Sequence, residues 1–256
     1  MDSASHGSET APHLPNPLLE IIEGSPGLRY SINKWSHYLP LYHRYFERLR
    51  ALASPQRKVR LMEVGVQNGG SLELWEKYFG NENCEIFGVD INPVCATLGV
   101  GRVFIGNQED PALWAKIKLE VPPLDIFIDD GSHTFAAQKC TFDCMFPHVA
   151  PGGIYLVEDT HSSYMPPFGG DKPPLWPPKP IRTPKATFVE FTKHCIDRLH
   201  YSFNGLPRDY FACNCLGMHC YDSMVFFEKS WEEMKPPKNK FWKKECPVLD
   251  ISNMIH

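Results

Sequence analysis

Short apolar runs alternate with helical stretches through the middle of the chain. The runs with the length and composition of buried strands are Val59–Val66, Cys84–Val89, Arg102–Ile105, Leu124–Ile128 and Gly153–Val157. The candidate helices between them are Ser71–Tyr78, Pro93–Leu98, Pro111–Lys118 and Thr134–Val149. Strand–helix alternation with short connections predicts an α/β fold in which helices cover both faces of a parallel sheet.

Two acidic pairs follow the last two of these runs. Asp129-Asp130 stands in FIDDGSH, and Glu158-Asp159 stands in LVEDTHSSY. Acids at strand ends lie at the rim of a sheet, where open α/β folds keep their ligand sites. If the two strands are neighbours, about 4.8 Å apart, the carboxylates converge. Such groups need a proton, a cation or water between them.

A glycine-rich turn, MEVGVQNGGS, follows the first strand. Its glycines let a ligand approach the backbone, and the helix that follows favours anionic groups at its N-terminus. Gln67 stands where the dinucleotide fingerprint requires glycine. The second strand ends at Asp90, 25 residues after Gly65, where a carboxylate can bind ribose hydroxyls. The third strand precedes GNQED, whose polar groups could meet a nucleobase, so this order of features favours a nucleoside ligand.

The composition excludes several classes of partner. A net charge of −4 and a pI near 6.3 give no electrostatic footprint for nucleic acid. No apolar run approaches the roughly 20 residues that span a bilayer. Residues 1–27 lack the layout of a secretion signal and are predicted to be a disordered tail. Nine scattered cysteines are typical of a reducing, cytoplasmic compartment and not of a disulfide framework.

Three segments flank or interrupt the alternating core. Residues 28–52 carry an aromatic-rich helical pattern. Residues 165–184 are dense in proline and glycine, which favours an active-site lid over a passive linker. After a helix near Ala186–Leu199, the segments Asp209–Cys215 and His219–Phe227 are predicted to form an antiparallel hairpin. Zinc at the cysteines of this hairpin is disfavoured, because a C-x-C spacing is also the alternation of a strand.

The motifs together resemble those of class I S-adenosylmethionine-dependent methyltransferases. The resemblance rests on ExGxxxGGS, the strand-end Asp90, DDGSH and PGGIYLVEDTHSSY. Within that superfamily they are similar to the metal-dependent O-methyltransferases that tailor sugars and natural products. That group includes the mycinamicin and rhamnosyl O-methyltransferases and proteins labelled cephalosporin hydroxylases. The resemblance covers about residues 30–230, and Gln67 departs from the more general pattern ExGxGxG.

The resemblance implies a Rossmann-like, mostly parallel seven-stranded sheet with a C-terminal antiparallel hairpin, in a single domain over residues 28–256. It implies methyl transfer from S-adenosylmethionine to a hydroxyl of a sugar, diol or other small molecule, and a homo-oligomer. The residues expected to contact the cofactor are Glu63, Gly65, Asn68, Gly69, Asp90 and Gln108. Asn68 as a plain turn residue and Gln108 as part of a solvated loop are equally compatible readings.

The acidic pairs supply the expected chemistry. Asp130, Glu158 and Asp159 would hold Mg²⁺ or another hard divalent cation, with positions left open for substrate oxygens. The cation would lower the pKa of the acceptor hydroxyl, and His133 is the candidate general base. Asp129 is expected to support the site without binding metal.

Three histidine and tyrosine side chains are candidates for contact with the acceptor: His161, Tyr164 and His37. Loop packing for the first two, and helix packing for the third, are the alternatives.

Two other classes of function are also consistent with parts of the pattern. An oxidative enzyme would need a facial iron site of two histidines and a carboxylate, and only His133 and His161 lie near the acids. A non-catalytic S-adenosylmethionine-binding protein would have no chemical need for Asp130, His133 and Asp159 together.

Overall fold

The structure is a computed structural model that describes residues 15–170 and 186–238. Its strands are β1 Val59–Val64, β2 Cys84–Asp90, β3 Arg102–Ile105, β4 Leu124–Asp129, β5 Val149–Val157, β6 Cys215–Tyr221 and β7 Met224–Lys229. The α-helices in this part of the chain are α1 Pro17–Glu23, α2 Tyr38–Leu52, α3 Gly70–Phe79, α4 Pro111–Glu120, α5 Phe135–Met145, α6 Phe188–Leu199, α7 Tyr201–Asn204 and α8 Tyr210–Asn214. None of these helices is long and apolar enough to cross a membrane.

The strands form one seven-stranded sheet in the order β3-β2-β1-β4-β5-β7-β6. The first five positions are parallel, while β7 runs antiparallel to both β5 and β6. The mostly parallel sheet with an antiparallel closing hairpin is therefore confirmed. Chain order reverses between β1 and β4, so the connections after these two strands diverge and leave a crevice at the sheet edge.

Helices cover both faces of the sheet, as the alternating apolar pattern predicts. One face carries Leu61 and Ile126 and packs on α1, α2 and α3. The opposite face carries Met62 and Phe127 and packs on α4, α5 and α6. Because successive strand side chains point to opposite faces, neighbouring residues in one strand enter different cores.

The register aligns the carboxyl ends of the central strands. Glu63 of β1 lies beside Ile128 of β4, and Asp129 of β4 lies beside Val157 of β5. Residues just beyond β4 and β5 are therefore neighbours at the same edge, and Glu63 lies directly below them. The convergence of the two acidic pairs follows from this register.

The closing hairpin is shifted from its predicted position. The predicted strand Asp209–Cys215 is mostly helix α8, because the Asp209 side chain accepts a hydrogen bond from Ala212 N and caps a helical turn. The predicted strand His219–Phe227 contains the hairpin turn, where Ser223 adopts a left-handed φ of 64°. A short aromatic and cysteine-rich run has no period that separates a strand from one helical turn.

The predictions for the N-terminal region are wrong in two places. Part of the expected disordered tail is helix α1, which Asn16 caps through its side-chain oxygen and which buries Leu18 completely. Residues 28–37 are not helical as predicted but form an irregular segment before α2, here called the N-terminal strap. Residues 1–14 of the expected tail lie outside the described residues.

The proposed lid over residues 165–184 falls largely outside the described residues. Its first part, up to residue 170, contains one 3₁₀ turn over Pro166–Phe168. His133 contacts this turn through Phe168, with 6.0 Å between the ring centroids. A lid function for the segment stays a prediction.

Gly65 is expected to be irreplaceable in this fold. Its φ is +92°, and a Cβ placed there would lie 2.0 Å from the Asp130 carbonyl oxygen. Gly65→Ala should lower the free energy of unfolding by about 3 kcal/mol or more, through the left-handed backbone and the clash together. Urea denaturation measures the loss.

The matched control is Gly99→Ala. Gly99 has a φ of +64° with nothing within 4 Å of an added Cβ, so only the backbone cost of about 1–2 kcal/mol applies. Equal losses in the two variants would contradict the close approach of the two strand ends.

Candidate functional site

The side chain of Lys34, in the N-terminal strap, is buried where three strands end. Its Nζ donates to Glu63 Oε1 at 2.9 Å, to Asp130 Oδ2 at 2.6 Å and to Glu158 Oε2 at 2.9 Å. The side chain is 4% exposed. An ammonium has three donors, and here each donor meets a different carboxylate. The strap is thereby tied across the carboxyl edge of β1, β4 and β5.

Strand alternation explains why these three acids meet. Glu63 shares the α2-facing side of the sheet with Leu61, two residues earlier in β1. By the same alternation, Asp130 and Glu158 lie on this side beyond β4 and β5, and Lys34 contacts all three. Asp129, one residue before Asp130, enters the opposite face. The counter-charge that the acidic pairs require therefore comes, in part, from this lysine.

Burial shifts the protonation equilibria of this cluster. Loss of hydration raises the pKa of Asp130 to about 7 and that of Glu158 well above its usual value, and Lys34 opposes both shifts. Burial also acts to lower the pKa of Lys34, but the carboxylates outweigh it and hold that pKa well above the ordinary value. One lysine does not balance three carboxylates, so the cluster favours a retained proton or a second cation.

The remaining oxygens of two of these acids are held by aromatic side chains. Trp75 Nε1 donates to Glu63 Oε2 at 2.6 Å, and the Tyr42 hydroxyl donates to Glu158 Oε1 at 2.6 Å. Glu63 and Glu158 are almost fully buried, whereas the Asp130 side chain is 18% exposed. Asp130 is thus the member of the cluster that reaches the surface of the site.

Asp130, His133 and Asp159 offer ligand atoms that all lie within 4.8 Å of one another. Apart from the three acids that bind Lys34, they are the only group of three or more metal-ligating side chains found between residues 15 and 170 and between 186 and 238. His133 Nε2 is 3.7 Å from Asp159 Oδ2, and the Tyr38 hydroxyl donates to Asp159 Oδ1 at 2.7 Å. The two carboxylates suit a hard divalent cation, whereas an imidazole is a ligand that Zn, Cu, Fe or Ni prefers, so the fit to Mg²⁺ rests on Asp130 and Asp159. Glu158, expected as a third carboxylate ligand, lies beside this group, where it accepts hydrogen bonds from Lys34 and Tyr42.

His133 is suited to accept a proton. Burial lowers its pKa, so the imidazole is neutral near pH 7. Its Nδ1 is buried without a hydrogen-bond partner among the described residues. The Ser162 hydroxyl donates to the His133 carbonyl oxygen at 3.0 Å and fixes the loop that carries the ring.

Backbone strain is concentrated around the site. The non-glycine residues with positive φ in the described chain are Gln67, His133, Asp159 and Ser223, at 50°, 58°, 52° and 64°. Each left-handed residue costs about 1–2 kcal/mol and persists only where its surroundings impose it. All four lie in connections at the edge where β1, β4 and β5 end or in the turn beside it.

A narrow cleft opens between the glycine-rich turn and the N-terminal strap. Gly65 and Asn68 line it from the turn, Asp130 lines it from β4, and Ser31 and Lys34 line it from the strap. The cleft lies at the switch point between β1 and β4 and at the N-terminus of α3, where anionic groups are favoured.

The other residues expected to contact the cofactor lie around or below this cleft. Gly69 caps α3 with a φ of 83°. Asp90 holds the turn from outside, because its Oδ2 accepts from Gln67 N at 2.9 Å. The Glu63 side chain lies beneath the cleft and accepts hydrogen bonds from Lys34 and Trp75.

Gln108 is buried and supports the DDGSH loop. Its Nε2 donates to Asp129 Oδ1 at 3.1 Å, and its Oε1 accepts from Ser132 N at 2.7 Å. Asp129 is completely buried, and its Oδ2 has no partner among the described residues. Burial raises the pKa of Asp129 to about 6. These contacts place Gln108 in a supporting layer, and Asp129 with it.

The structure brings two of the three candidate acceptor residues together and places the third against the same hairpin turn. His161 Nδ1 lies 3.9 Å from Asp159 Oδ1 and 3.0 Å from Ser223 Oγ. Tyr164 and His161 share the wall of a second cavity. His37 is not in this wall but contacts it, with its Nε2 3.3 Å from the carbonyl oxygen of Asp222 in the hairpin turn.

Lys34 is a central residue of this site that the sequence analysis did not single out. The local pattern around it, YSINKWSHY, contains no acid and suggests only the approach to a helix. The signal lay elsewhere in the chain, in Glu63, Asp130 and Glu158, which share one face of one edge and require a cation.

No family model matches the chain. It is 36% identical over 208 residues to L-olivosyl-oleandolide 3-O-methyltransferase of Streptomyces antibioticus. The aligned region covers 77% of this chain and 51% of the relative. The chain is 32% identical over 206 residues to mycinamicin VI 2''-O-methyltransferase of Micromonospora griseorubida. That alignment covers 75% of this chain and 48% of the relative. The chain thus spans about half the length of the curated relatives it matches.

A solved structure of MycE methyltransferase from the mycinamycin biosynthetic pathway, in complex with Mg, SAH and mycinamycin VI, has the same fold. Its TM-score is 0.70 at 30% identity, over 85% of this chain and 54% of that chain. A second crystal of that enzyme with Mg and SAH matches with a TM-score of 0.69.

Removal of the buried Lys34 ammonium is expected to destabilise the fold strongly. Lys34→Met leaves three carboxylates without their shared donor and should lower the free energy of unfolding by about 3–5 kcal/mol. Lys139→Met is the control, since Lys139 pairs with the exposed Asp143 and should cost about 1 kcal/mol or less. Similar losses in denaturation experiments would contradict the central role of Lys34.

The buried Asp129 predicts a pH dependence of stability. Its pKa rises from 3.8 in the unfolded chain to about 6 on folding, so the contribution of Asp129 to stability falls as pH rises from about 4 to 6 and the loss persists above 6. Asp129→Asn removes this loss, and its stability relative to wild type should increase by about 2–3 kcal/mol between pH 4 and pH 7.

Denaturant titrations at several pH values measure this difference. Asp143→Asn, at an exposed acid, is the control and should show no such trend. A constant offset between Asp129→Asn and wild type would rule out the buried, protonated carboxyl.

Proposed function

The chain belongs to the same family as the O-methyltransferases that act on sugars of natural products, and from this relationship we propose that it transfers a methyl group from S-adenosylmethionine to a hydroxyl of a glycosylated small molecule. The observation that carries the proposal is that Asp130, His133 and Asp159 converge beside the cleft of the glycine-rich turn. Asp130 belongs both to this cluster and to the wall of the cleft. The proposed proton acceptor, His133, therefore lies next to the proposed cofactor site.

The cleft is the proposed cofactor site. The backbone of Gly65, Asn68 and Gly69 and the N-terminus of α3 would receive the anionic end of S-adenosylmethionine. Asp90 would bind the ribose hydroxyls with the lone pairs that Gln67 N and Asn92 N leave free. The MycE complexes with SAH support this choice of cofactor.

Asp130 and Asp159 are the proposed holders of Mg²⁺, with Glu158 as a further oxygen donor. Glu158 already accepts from Lys34 and Tyr42, and each carboxylate oxygen has a second lone pair. When bound, a hard divalent cation lowers the pKa of a hydroxyl at its open positions. Tyr38 holds one oxygen of Asp159 and leaves the other directed to His133.

His133 is the proposed general base. The neutral ring can take the acceptor proton at Nε2, and the positive charge that develops is stabilised by Asp159, 3.7 Å away. A positioned base contributes about 10²–10⁴-fold to rate. An oxidative iron enzyme is disfavoured, because the described cluster contains one histidine and not two.

The surroundings of the reaction are also proposals. The described cysteines are free thiols, which supports a reducing, cytoplasmic setting. We propose one catalytic domain that includes α1 together with residues 28–256 and works as a homo-oligomer on small molecules, without nucleic acid or membrane partners.

Asp130→Asn tests the proposed function. In an assay with S-adenosylmethionine, Mg²⁺ and a panel of glycosylated polyketides and simple rhamnosides, the variant should lose roughly 10²–10⁴-fold in turnover. Its affinity for S-adenosylhomocysteine, measured by calorimetry, should stay within about threefold of wild type, because the backbone of the glycine-rich turn is unchanged.

Asp143→Asn, at an exposed acid of α5, is the matched control and should retain wild-type turnover. Turnover by Asp130→Asn near the wild-type rate, or full activity in excess chelator, would contradict the metal assignment. Failure of wild type to bind S-adenosylhomocysteine would contradict the proposed function as a whole.

A further inference from the structure

A second cavity, of about 360 Å³, lies between α6 and the β6–β7 hairpin. Residues of its wall that matter here are His161, Tyr164, Val189, Thr192, Ile196 and Ser223. Its volume is within the range of small-molecule sites, about 300–1,000 Å³. Nothing in the cofactor or base assignments uses this cavity.

The cavity begins at the residues that follow Asp159. Thr160 lines it and donates its backbone N–H to the Ser223 carbonyl oxygen at 3.1 Å. His161, also in the wall, lies 3.9 Å from Asp159 Oδ1 through its Nδ1. A molecule with a hydroxyl near Asp159 and His133 can therefore extend past His161 into the cavity.

The polar groups of the wall are largely satisfied within the protein. The Thr192 hydroxyl donates to the Phe188 carbonyl oxygen at 2.9 Å, and His161 Nδ1 is 3.0 Å from Ser223 Oγ. Lys193, at the rim, pairs with Glu190 at 2.6 Å. The hydroxyls of a sugar would find few free hydrogen-bond partners in this wall. An apolar group needs no such partners and would therefore be bound without that cost.

Ile196 indicates an apolar occupant. It is 47% exposed although it lines the cavity, while the neighbouring face of α6 buries Phe188 and Cys195 in the core. With Val189 and Tyr164 it gives the cavity an apolar wall. Exposed apolar surface in a concave site marks a place that a ligand covers.

We propose that this cavity binds the apolar, ring-bearing aglycone of the acceptor while the sugar hydroxyl lies at Asp130, His133 and Asp159. The inference rests on the proposed function for the position of the sugar. It assigns selection of the aglycone to α6 and the hairpin, apart from the residues that perform the transfer.

The test fills the cavity. Ile196→Trp places an indole in it, and His194→Trp places the same group at an exposed position of α6 outside the wall. The probes are 8-demethyl-8-α-L-rhamnosyl tetracenomycin C, a rhamnoside with a ring-bearing aglycone that appears in the name of a Streptomyces olivaceus relative, and methyl α-L-rhamnoside, the sugar alone. Binding of each is measured by calorimetry with S-adenosylhomocysteine and Mg²⁺ present.

Wild type should bind the tetracenomycin glycoside at least 10-fold more tightly than the methyl rhamnoside. Ile196→Trp should weaken the glycoside at least 10-fold and leave the methyl rhamnoside and S-adenosylhomocysteine within twofold, while His194→Trp changes nothing. Equal binding of the two probes by wild type, no binding of the glycoside, or an unchanged affinity in Ile196→Trp would overturn the inference. Aglycone-dependent binding without S-adenosylhomocysteine binding or methyl transfer would instead overturn the proposed function.

Discussion

The buried ammonium of Lys34 is the interaction on which the arrangement of the site depends. Three parallel strands deliver Glu63, Asp130 and Glu158 to one face of one edge, where their repulsion in a poorly hydrated environment would separate or protonate them. Lys34 holds them together and brings the N-terminal strap over the sheet edge. The same strap forms one wall of the cleft beside the glycine-rich turn, so one segment both neutralises the acids and forms the cleft.

Strand alternation then divides the work within each acidic pair. Asp130 faces Lys34 and the cleft, whereas Asp129 enters the opposite core and, with Gln108, supports the loop that carries His133. Beyond β5, Glu158 is held by Lys34 and Tyr42, while Asp159 turns through a left-handed conformation to face His133. Adjacent acids thus acquire different environments, Asp129 and Asp130 through the pleat of the sheet and Asp159 through its left-handed backbone.

The sheet, its closing hairpin and the convergence of the acidic pairs were predictable, because they follow from apolar periodicity and from side chains at strand ends. The hairpin boundaries were not, since whether Asp209 caps a helical turn depends on the packing of α8. Lys34 could not be predicted from its own neighbourhood, because its three partners lie 29, 96 and 124 positions away along the chain. Lysine is rarely buried, so only the completed edge of the sheet gives its burial a reason.

The central claim is that one edge of this sheet holds a divalent cation and S-adenosylmethionine side by side. A crystal structure with S-adenosylhomocysteine and Mg²⁺ tests it most directly. We expect oxygens of Asp130 and Asp159 at about 2.0–2.1 Å from the cation, and the cofactor over Gly65 with its ribose at Asp90. A cation bound elsewhere, or a cofactor outside the cleft between the glycine-rich turn and the N-terminal strap, would contradict the account.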